Sequence, residues 1–409
     1  MPDSLLLARQ PIFDRSLNIA AYELLFRSDA GTVLKDSDAN LATTQVLLNA
    51  FTDLDIDALL EDHKAYVNFT RDLILHPPPF NKDKYVIEVL ESIHIDDELV
   101  QQLRRLKRRG YTIALDDFEY SKDWDAVLKL ADIVKLDVLA MSREQLIAAV
   151  DRMKTYGVKL LAEKVESHEM FHFCCDLGFQ LFQGYFLCRP RPIRGNRISR
   201  PQLAAQSLLS AIQNPELEIE HLSSLVAGDS VMSAGVLRIE NASNGGDVEH
   251  AMVDSAIATL NTQQLRNWIT LLSYQVMPDK PMALFISAIS RARMCQQLAL
   301  AFADEAGAHR YFSVGLLSNI DAYLDRPLKE IIPTMPLEKD IGDALLFGHG
   351  PMGMILRTAI ASERAMWNSI DWEILKEKCL TPSDVEGAYI DSIQWAGSIA
   401  GAIQSGQNA

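Results

Sequence analysis

A chain of 409 residues with 48% hydrophobic content is too long for one compact domain and carries enough apolar mass for more than one packed core. No apolar stretch reaches the roughly 20 residues needed to cross a bilayer, and the start Met1-Pro2-Asp3-Ser4-Leu5 has neither the basic region nor the long apolar run of a secretory signal, so a soluble, cytoplasmic protein is expected. The net charge of −16 falls mostly on residues 201–409, where 24 Asp/Glu face 13 Lys/Arg, and such a surface argues against extended DNA or RNA binding by that half.

The first β-like run in the chain is Ala21-Tyr22-Glu23-Leu24-Leu25-Phe26-Arg27. Between Tyr66 and Leu187, short β-branched or aromatic runs ending in a polar residue then alternate with helical stretches. The strand candidates are Ala65-Tyr66-Val67-Asn68, Tyr85-Val86-Ile87-Glu88, Tyr111-Thr112-Ile113-Ala114-Leu115-Asp116, Ile133-Val134-Lys135, Lys159-Leu160-Leu161-Ala162-Glu163 and Leu181-Phe182-Gln183. All are short and mostly apolar, as buried parallel strands are. Helices between them end on glycine: Asp96 to Arg109 at Gly110, Ser142 to Tyr156 at Gly157, Ser167 to Leu177 at Gly178. No Gly-rich dinucleotide turn follows any of these strands, which favours a parallel TIM-like (β/α) barrel over an open doubly wound sheet.

The rhythm stops at Arg189-Pro190-Arg191-Pro192-Ile193-Arg194-Gly195-Asn196, giving an expected division into 1–197 and 198–409. The second part reads as all-α, with helices over Leu203–Gln213, Ile219–Ala227, Val231–Glu240, Asp254–Leu260, Gln263–Tyr274, Pro281–Glu305, Arg310–Asp321, Pro336–Phe347 and Pro351–Ser362, then a helical or loop segment near Thr381–Gln404 and a frayed tail from Ser405. Five cysteines (Cys174, Cys175, Cys188, Cys295 and Cys379), odd in number and without zinc-type spacing, are expected as free thiols.

The strands of the first half share a property that core packing does not require. Nearly every one ends in a group able to bind metal or phosphate: Asn68, Glu88, Asp116 with Asp117, Lys135, Glu163 and Gln183, joined by Glu23. In a parallel barrel these ends converge on one face. Carboxylates gathered there need cations, and an all-oxygen set without Cys or His suits Mg²⁺ or Mn²⁺ rather than zinc. Taken singly, each acid reads equally well as a helix cap, and Arg27 as a surface ion pair. The cap reading does not account for Asp116 and Asp117 together, nor for Lys135 and Gln183 on otherwise apolar strands.

From Leu7 to Pro192 the chain resembles the EAL domains, which hydrolyse cyclic di-GMP to the linear dinucleotide. Glu23-Leu24-Leu25-Phe26-Arg27 is similar to the Glu-Ala-Leu-x-Arg signature, and Val67-Asn68-Phe69-Thr70 to the Asn-x-Ser segment. Glu88-Val89-Leu90-Glu91 is similar to Glu-x-x-Glu, Asp116-Asp117-Phe118 to Asp-Asp-Phe-Gly, and Lys135 to the lysine of Lys-x-Asp. Glu163-Lys164-Val165-Glu166 and Gln183-Gly184-Tyr185 are similar to Glu-Gly-Val-Glu and Gln-Gly-Tyr. The resemblance implies metal ligation by Glu23, Asn68, Glu88, Asp116 and Asp117, with two Mg²⁺ or Mn²⁺ ions. It implies catalytic roles for Lys135, Glu163 and Glu166, and contact with cyclic di-GMP from Arg27, Glu91 and Gln183.

Two departures stand beside it. The family's Gly-Thr-Gly-Tyr-Ser-Ser loop, which couples metal binding to dimerisation, is replaced by Glu119-Tyr120-Ser121-Lys122-Asp123-Trp124, and Lys164 replaces a glycine beside Glu163. Recognition of the dinucleotide is therefore a firmer expectation than turnover, with a non-catalytic receptor or a scaffold as the alternatives and a homodimer left open. The second half resembles HDOD domains through Asn214-Pro215-Glu216-Leu217, Leu237-Arg238-Ile239-Glu240-Asn241-Ala242 and Gly315-Leu316-Leu317-Ser318-Asn319-Ile320-Asp321. Ser318 and Asn319 stand where a working phosphohydrolase of this type has its His-Asp pair. The resemblance implies a helical module that binds a protein partner and does no metal chemistry of its own.

Overall fold

The computed structural model describes residues 5–28, 59–60, 63–77, 80–189, 209–214, 216–227, 230–243, 253–275, 277, 280–302 and 307–405, and the chain divides into two compact units, Met1–Leu187 and Cys188–Ala409. Pro190 to Asn196 and Leu203 to Leu208 lie outside the described residues, as do Pro215, His250 and the tail beyond Ser405.

The first unit is a closed eight-stranded barrel in sequential order. Its strands are β1 (Leu5–Phe13), β2 (Ile19–Ser28), β3 (Lys64–Phe69), β4 (Tyr85–Val89), β5 (Thr112–Leu115), β6 (Ile133–Asp137), β7 (Lys159–Glu163) and β8 (Leu181–Gln183). Strands β2 to β8 are parallel neighbours, as expected. The expected barrel is thus present, and β1, which is not among the strand runs read from the sequence, runs antiparallel to both β2 and β8. The cause is local: the short segment Asp14–Asn18 joins β1 to β2, and a parallel crossover needs a dozen residues or more. Asp14 closes that turn by accepting from the Ser16 and Asn18 amides at 2.8 and 2.9 Å.

Helices α1 (Arg71–Leu75), α2 (Asp97–Arg108), α3 (Asp125–Leu128), α4 (Arg143–Lys154) and α5 (His168–Leu177) fall between the strands. Their N-caps are Thr70, Asp96, Ser142 and Ser167 for α1, α2, α4 and α5, each side chain accepting a backbone N–H of the first turn. The strand-end acids are therefore not spent as the caps of these helices. Gly178 ends α5 in the left-handed conformation at φ 104°.

One layer of apolar side chains plugs the barrel: Ile12, Ala21, Tyr66, Val86, Ala114, Ile133 and Leu161, with Leu181 against them. Because side chains alternate along a strand, the residue two positions on faces the same way, one layer higher. Those residues are Glu23, Asn68, Glu88, Asp116, Lys135, Glu163 and Gln183. On β1, which runs the other way, the corresponding residue lies two positions before Ile12 and is Gln10.

The second unit is helical among its described residues. It comprises α6 (Ile219–Ala227), α7 (Ser230–Ser243), α8 (Val253–Ala258), α9 (Thr262–Gln275), α10 (Met282–Ala301), α11 (Ala308–Leu317) and α12 (Ile320–Leu324), then α13 (Leu328–Ile331), α14 (Lys339–Phe347), α15 (Gly350–Glu363), α16 (Trp372–Glu377) and α17 (Pro382–Ser405). The single helix expected over Arg310–Asp321 is in fact two, broken at Ser318 and Asn319. Helix α10 is buried along most of its length and passes so close to α11 that a Cβ on Gly315 would lie 2.5 Å from the Ala292 Cα. All five cysteines are free, and no helix of the described residues is long and apolar enough to cross a membrane.

Candidate active site at the barrel mouth

The layer above the apolar plug is polar and closely knit. The Lys135 ammonium lies at its centre, 2.7 Å from Glu88, 2.6 Å from Asp116, 2.9 Å from Glu163 and 3.4 Å from Glu23. Lys135 and Glu88 are both 0% exposed. Gln183 donates to Glu23 Oε2 at 2.6 Å and to Gln10 Oε1 at 2.9 Å, while Asn68 donates to Glu23 Oε1 at 3.4 Å. Glu23 is thus oriented from both sides. Asp116 lies one residue past β5, yet its amide still donates to Val89 O at 3.1 Å, which keeps its side chain in register with the strand ends.

Four carboxyl groups surround one ammonium in a buried setting, and two of them, Glu163 and Glu88, are shifted towards the neutral form. Burial pushes Glu163 up to about 8, with Asp116 and Glu23 adding to the rise and Lys135 opposing it. Glu88 is raised well above the usual carboxylate range for the same reasons, burial foremost. Lys135 is raised too, because its four acidic neighbours outweigh the cost of burying its charge.

Several oxygens in this layer are buried without a hydrogen-bond partner: Asn68 Oδ1, Glu88 Oε2, Glu163 Oε2 and Gln183 Oε1. Buried oxygens of this kind are met by a bound water or an ion. Glu23, Glu88 and Asp116 each offer an oxygen within 4.8 Å of the others, a spacing that fits one cation held by hard donors. The residues present therefore fit a divalent metal.

The other sequence candidates lie elsewhere. Asp117 follows at φ 41°, is not a member of the three-acid group, and lies 3.5 Å from Lys164. Glu91 is exposed after β4, and burial first, then Asp117 and Asp116, raise its carboxyl. Glu91 and Asp117 line an open cleft of about 910 Å³ with Phe118, Tyr120, Trp124 and Asp137. Glu166 is exposed between β7 and α5. The backbone of Arg27 is in β2, but its side chain lies outside the described residues. The segment that replaces the glycine loop is pinned: Phe118 and Trp124 are buried edge to face, and Arg152 stacks over the Tyr120 ring at 4.0 Å. Sequence reasoning missed Gln10, because Arg9, Gln10 and Pro11 interrupt the run that becomes β1.

In the helical unit, Ser318 and Asn319 face a guanidinium. Arg291 donates to Ser318 Oγ at 2.9 Å and to Asn319 Oδ1 at 2.5 Å, and forms a two-pronged pair with Glu363 Oε2 at 2.9 and 2.6 Å. Ser287 donates to the other Glu363 oxygen at 2.6 Å. Charge-assisted hydrogen bonds thus tie Ser318, Asn319 and Glu363 to one guanidinium.

The EAL domain model matches residues 31–190 and the HDOD domain model residues 199–324. Glu23 and its signature thus precede the matched segment, although the barrel brings them to the same mouth. The chain is 31% identical over 401 residues to the uncharacterized protein YuxH of Bacillus subtilis (strain 168), covering 95% of this chain and 97% of that protein. It is 30% identical over 399 residues to the cyclic di-GMP phosphodiesterase CdgJ of Vibrio cholerae serotype O1, covering 96% of this chain and 92% of that protein. Among solved structures, a calcium and cyclic di-GMP complex of Klebsiella pneumoniae BlrP1 is 21% identical, covering 46% of this chain and 55% of that one, with a TM-score of 0.36.

Proposed function

Because the chain belongs to the family of proteins that join an EAL domain to an HDOD domain, we propose that it acts in cyclic di-GMP signalling, recognising the dinucleotide at the mouth of its barrel and opening one phosphodiester to give linear pGpG. The observation that carries this reading is the single polar layer in which Glu23, Asn68, Glu88, Asp116, Lys135, Glu163 and Gln183 meet above the apolar plug. The barrel domain spans 1–197 and the helical domain 198–409 in this reading, and a cytoplasmic location goes with it.

Glu23, Asn68, Glu88 and Asp116 would hold Mg²⁺ or Mn²⁺, with Asp117 the remaining candidate ligand. A divalent cation there supplies electrophilic assistance to a phosphodiester and makes a water more acidic. Lys135 offsets the carboxylates and keeps the layer assembled. Glu163, raised to about 8 without metal and ionised once a dication neutralises the layer, would take the proton of the attacking water and pass it to the leaving oxygen, the new P–O bond forming as the ester P–O bond breaks. Gln183 fixes Glu23 and faces the ligand, Glu91 contacts it from the cleft, and Arg27 and Glu166 keep the substrate-binding and catalytic roles that the family resemblance implies.

A second reading, a receptor that binds without turnover and signals through a protein partner of the helical domain, is favoured by one observation. Asp117 is engaged by Lys164 and stands apart from the three-acid group. Both readings meet one experiment: cyclic di-GMP is added to the purified protein with Mg²⁺ or Mn²⁺, and heat of binding and linear product are followed together. Product that disappears in Glu163→Gln supports the enzyme, and heat without product supports the receptor. Neither heat nor product overturns both.

A further inference from the structure

We propose that Lys164 stands in for a second cation, so that the barrel takes one divalent ion per chain, at Glu23, Glu88 and Asp116, while Asp117 is neutralised by the protein itself. This rests on the metal-binding reading of the site given above.

The acids at the barrel mouth fall into two groups, each with its own ammonium. In the inner group, Glu23, Glu88, Asp116 and Glu163 surround Lys135. In the outer group, Lys164 lies 2.5 Å from Asp137 Oδ2 and 3.5 Å from Asp117 Oδ1. The inner group sets four carboxyl groups against one ammonium in a buried setting, where any charge left without a partner is costly. The outer group sets two carboxylates against one ammonium, and it is partly exposed. A single dication therefore gains far more in the inner group than in the outer one.

Lys164 is held in place on both sides. Asp137 accepts the Leu139 and Ala140 amides at 2.9 and 3.0 Å through Oδ1, which leaves Oδ2 aimed at the ammonium. The backbone of Lys164 sits at φ 54°, a left-handed conformation that a lysine adopts only at a cost. Asp117 is left-handed as well, at φ 41°, and this turn is what carries its carboxylate out of the strand alternation towards Lys164. Two adjacent departures from ordinary backbone thus meet in one ion pair. Asp117 Oδ1 is buried and has no hydrogen bond, so the nearby charge is its compensation.

The test counts ions rather than turnover. Metal-free full-length protein is titrated with Mn²⁺, and bound ions per chain are measured by calorimetry and by the paramagnetic resonance signal of free Mn²⁺. The wild type is expected to take one ion. Lys164→Gly, which suits the left-handed backbone and frees Asp117, is expected to take two, and Lys164→Asn, which tolerates the same backbone, serves as a second variant. Adding Asp117→Asn to either should return the count to one. Two ions in the wild type, or a count that Lys164→Gly and Lys164→Asn leave at one, would overturn the proposal. No ion in any of the proteins would instead overturn the metal-binding reading on which it rests.

Discussion

Lys135 Nζ and Glu88 Oε1 are 2.7 Å apart with both side chains fully buried, so the ammonium and the carboxyl each serve as the other's buried partner. Removing one partner of such a pair costs about 3–5 kcal/mol. Lys135→Met should therefore lower the thermal transition of the barrel in chelator by several degrees. Added Mn²⁺ should raise the transition of Lys135→Met more than that of the wild type, since a dication can take over the lost neutralisation. Equal Mn²⁺ shifts in the two proteins would refute the shared-charge account.

A pH dependence follows from Glu163. Its carboxyl is raised in the folded protein to about 8, so the fold prefers the neutral form. The stability this gives is full below the ordinary carboxylate range and is lost as pH rises from there through about 8. In metal-free protein, Glu163→Gln should match the wild type near pH 4.5 and exceed it at pH 9, by about 1 kcal/mol or more. Denaturant melts at the two pH values measure the difference.

Metal binding should release protons. Glu163 is raised to about 8 and the Glu88 carboxyl is raised in the same direction, chiefly by burial, and ligation by carboxylates favours loss of their protons. Calorimetric titration with Mn²⁺ at pH 7 should give a heat that changes with the ionisation enthalpy of the buffer, and affinity should climb between pH 6 and 8. A heat independent of buffer would show that the acids are already ionised.

Gly184 sits at φ 145°, and a Cβ there would lie 2.1 Å from the Val165 carbonyl oxygen. Gly184→Ala should cost about 1–3 kcal/mol and displace Gln183, one of the two groups that orient Glu23. Weaker dinucleotide binding in calorimetry, together with a lower melt, is the expected result.

In the helical unit, Arg291→Met would leave the half-buried Glu363 beside Ser287 without that guanidinium. A loss of about 3 kcal/mol is expected. The double variant Arg291→Met with Glu363→Leu should recover most of it, as a double-mutant cycle by denaturant melts would show.

Much of the barrel was legible because buried parallel strands are short apolar runs, and the polar residue that ends each one marks its register. Glycine punctuation located the helix ends at Gly110, Gly157 and Gly178. Strand β1 was not legible: Arg9, Gln10 and Pro11 break its pattern, and only closure of the barrel turns Gln10 inward. Nor could spacing show that adjacent aspartates part company, since that depends on the backbone angle at Asp117. In the helical unit the missing His-Asp pair could be read at Ser318 and Asn319. Arg291, which answers them, lies on another helix and carries no signal beyond a charge in an apolar run.

The pairing of β1 with β8 sets an order of events during synthesis. The β1–β2 hairpin can form as soon as Ser28 has left the ribosome, because its contacts are local. The partner of Ile12, however, is Gln183, which emerges only when nearly the entire barrel has been made. Until then one edge of the hairpin has no neighbour, and Glu23 lacks the amide that later holds it. Translation must pass Gln183 before the nascent chain can have a working mouth, so a message truncated earlier yields a sheet with open edges, a target for chaperones and proteases.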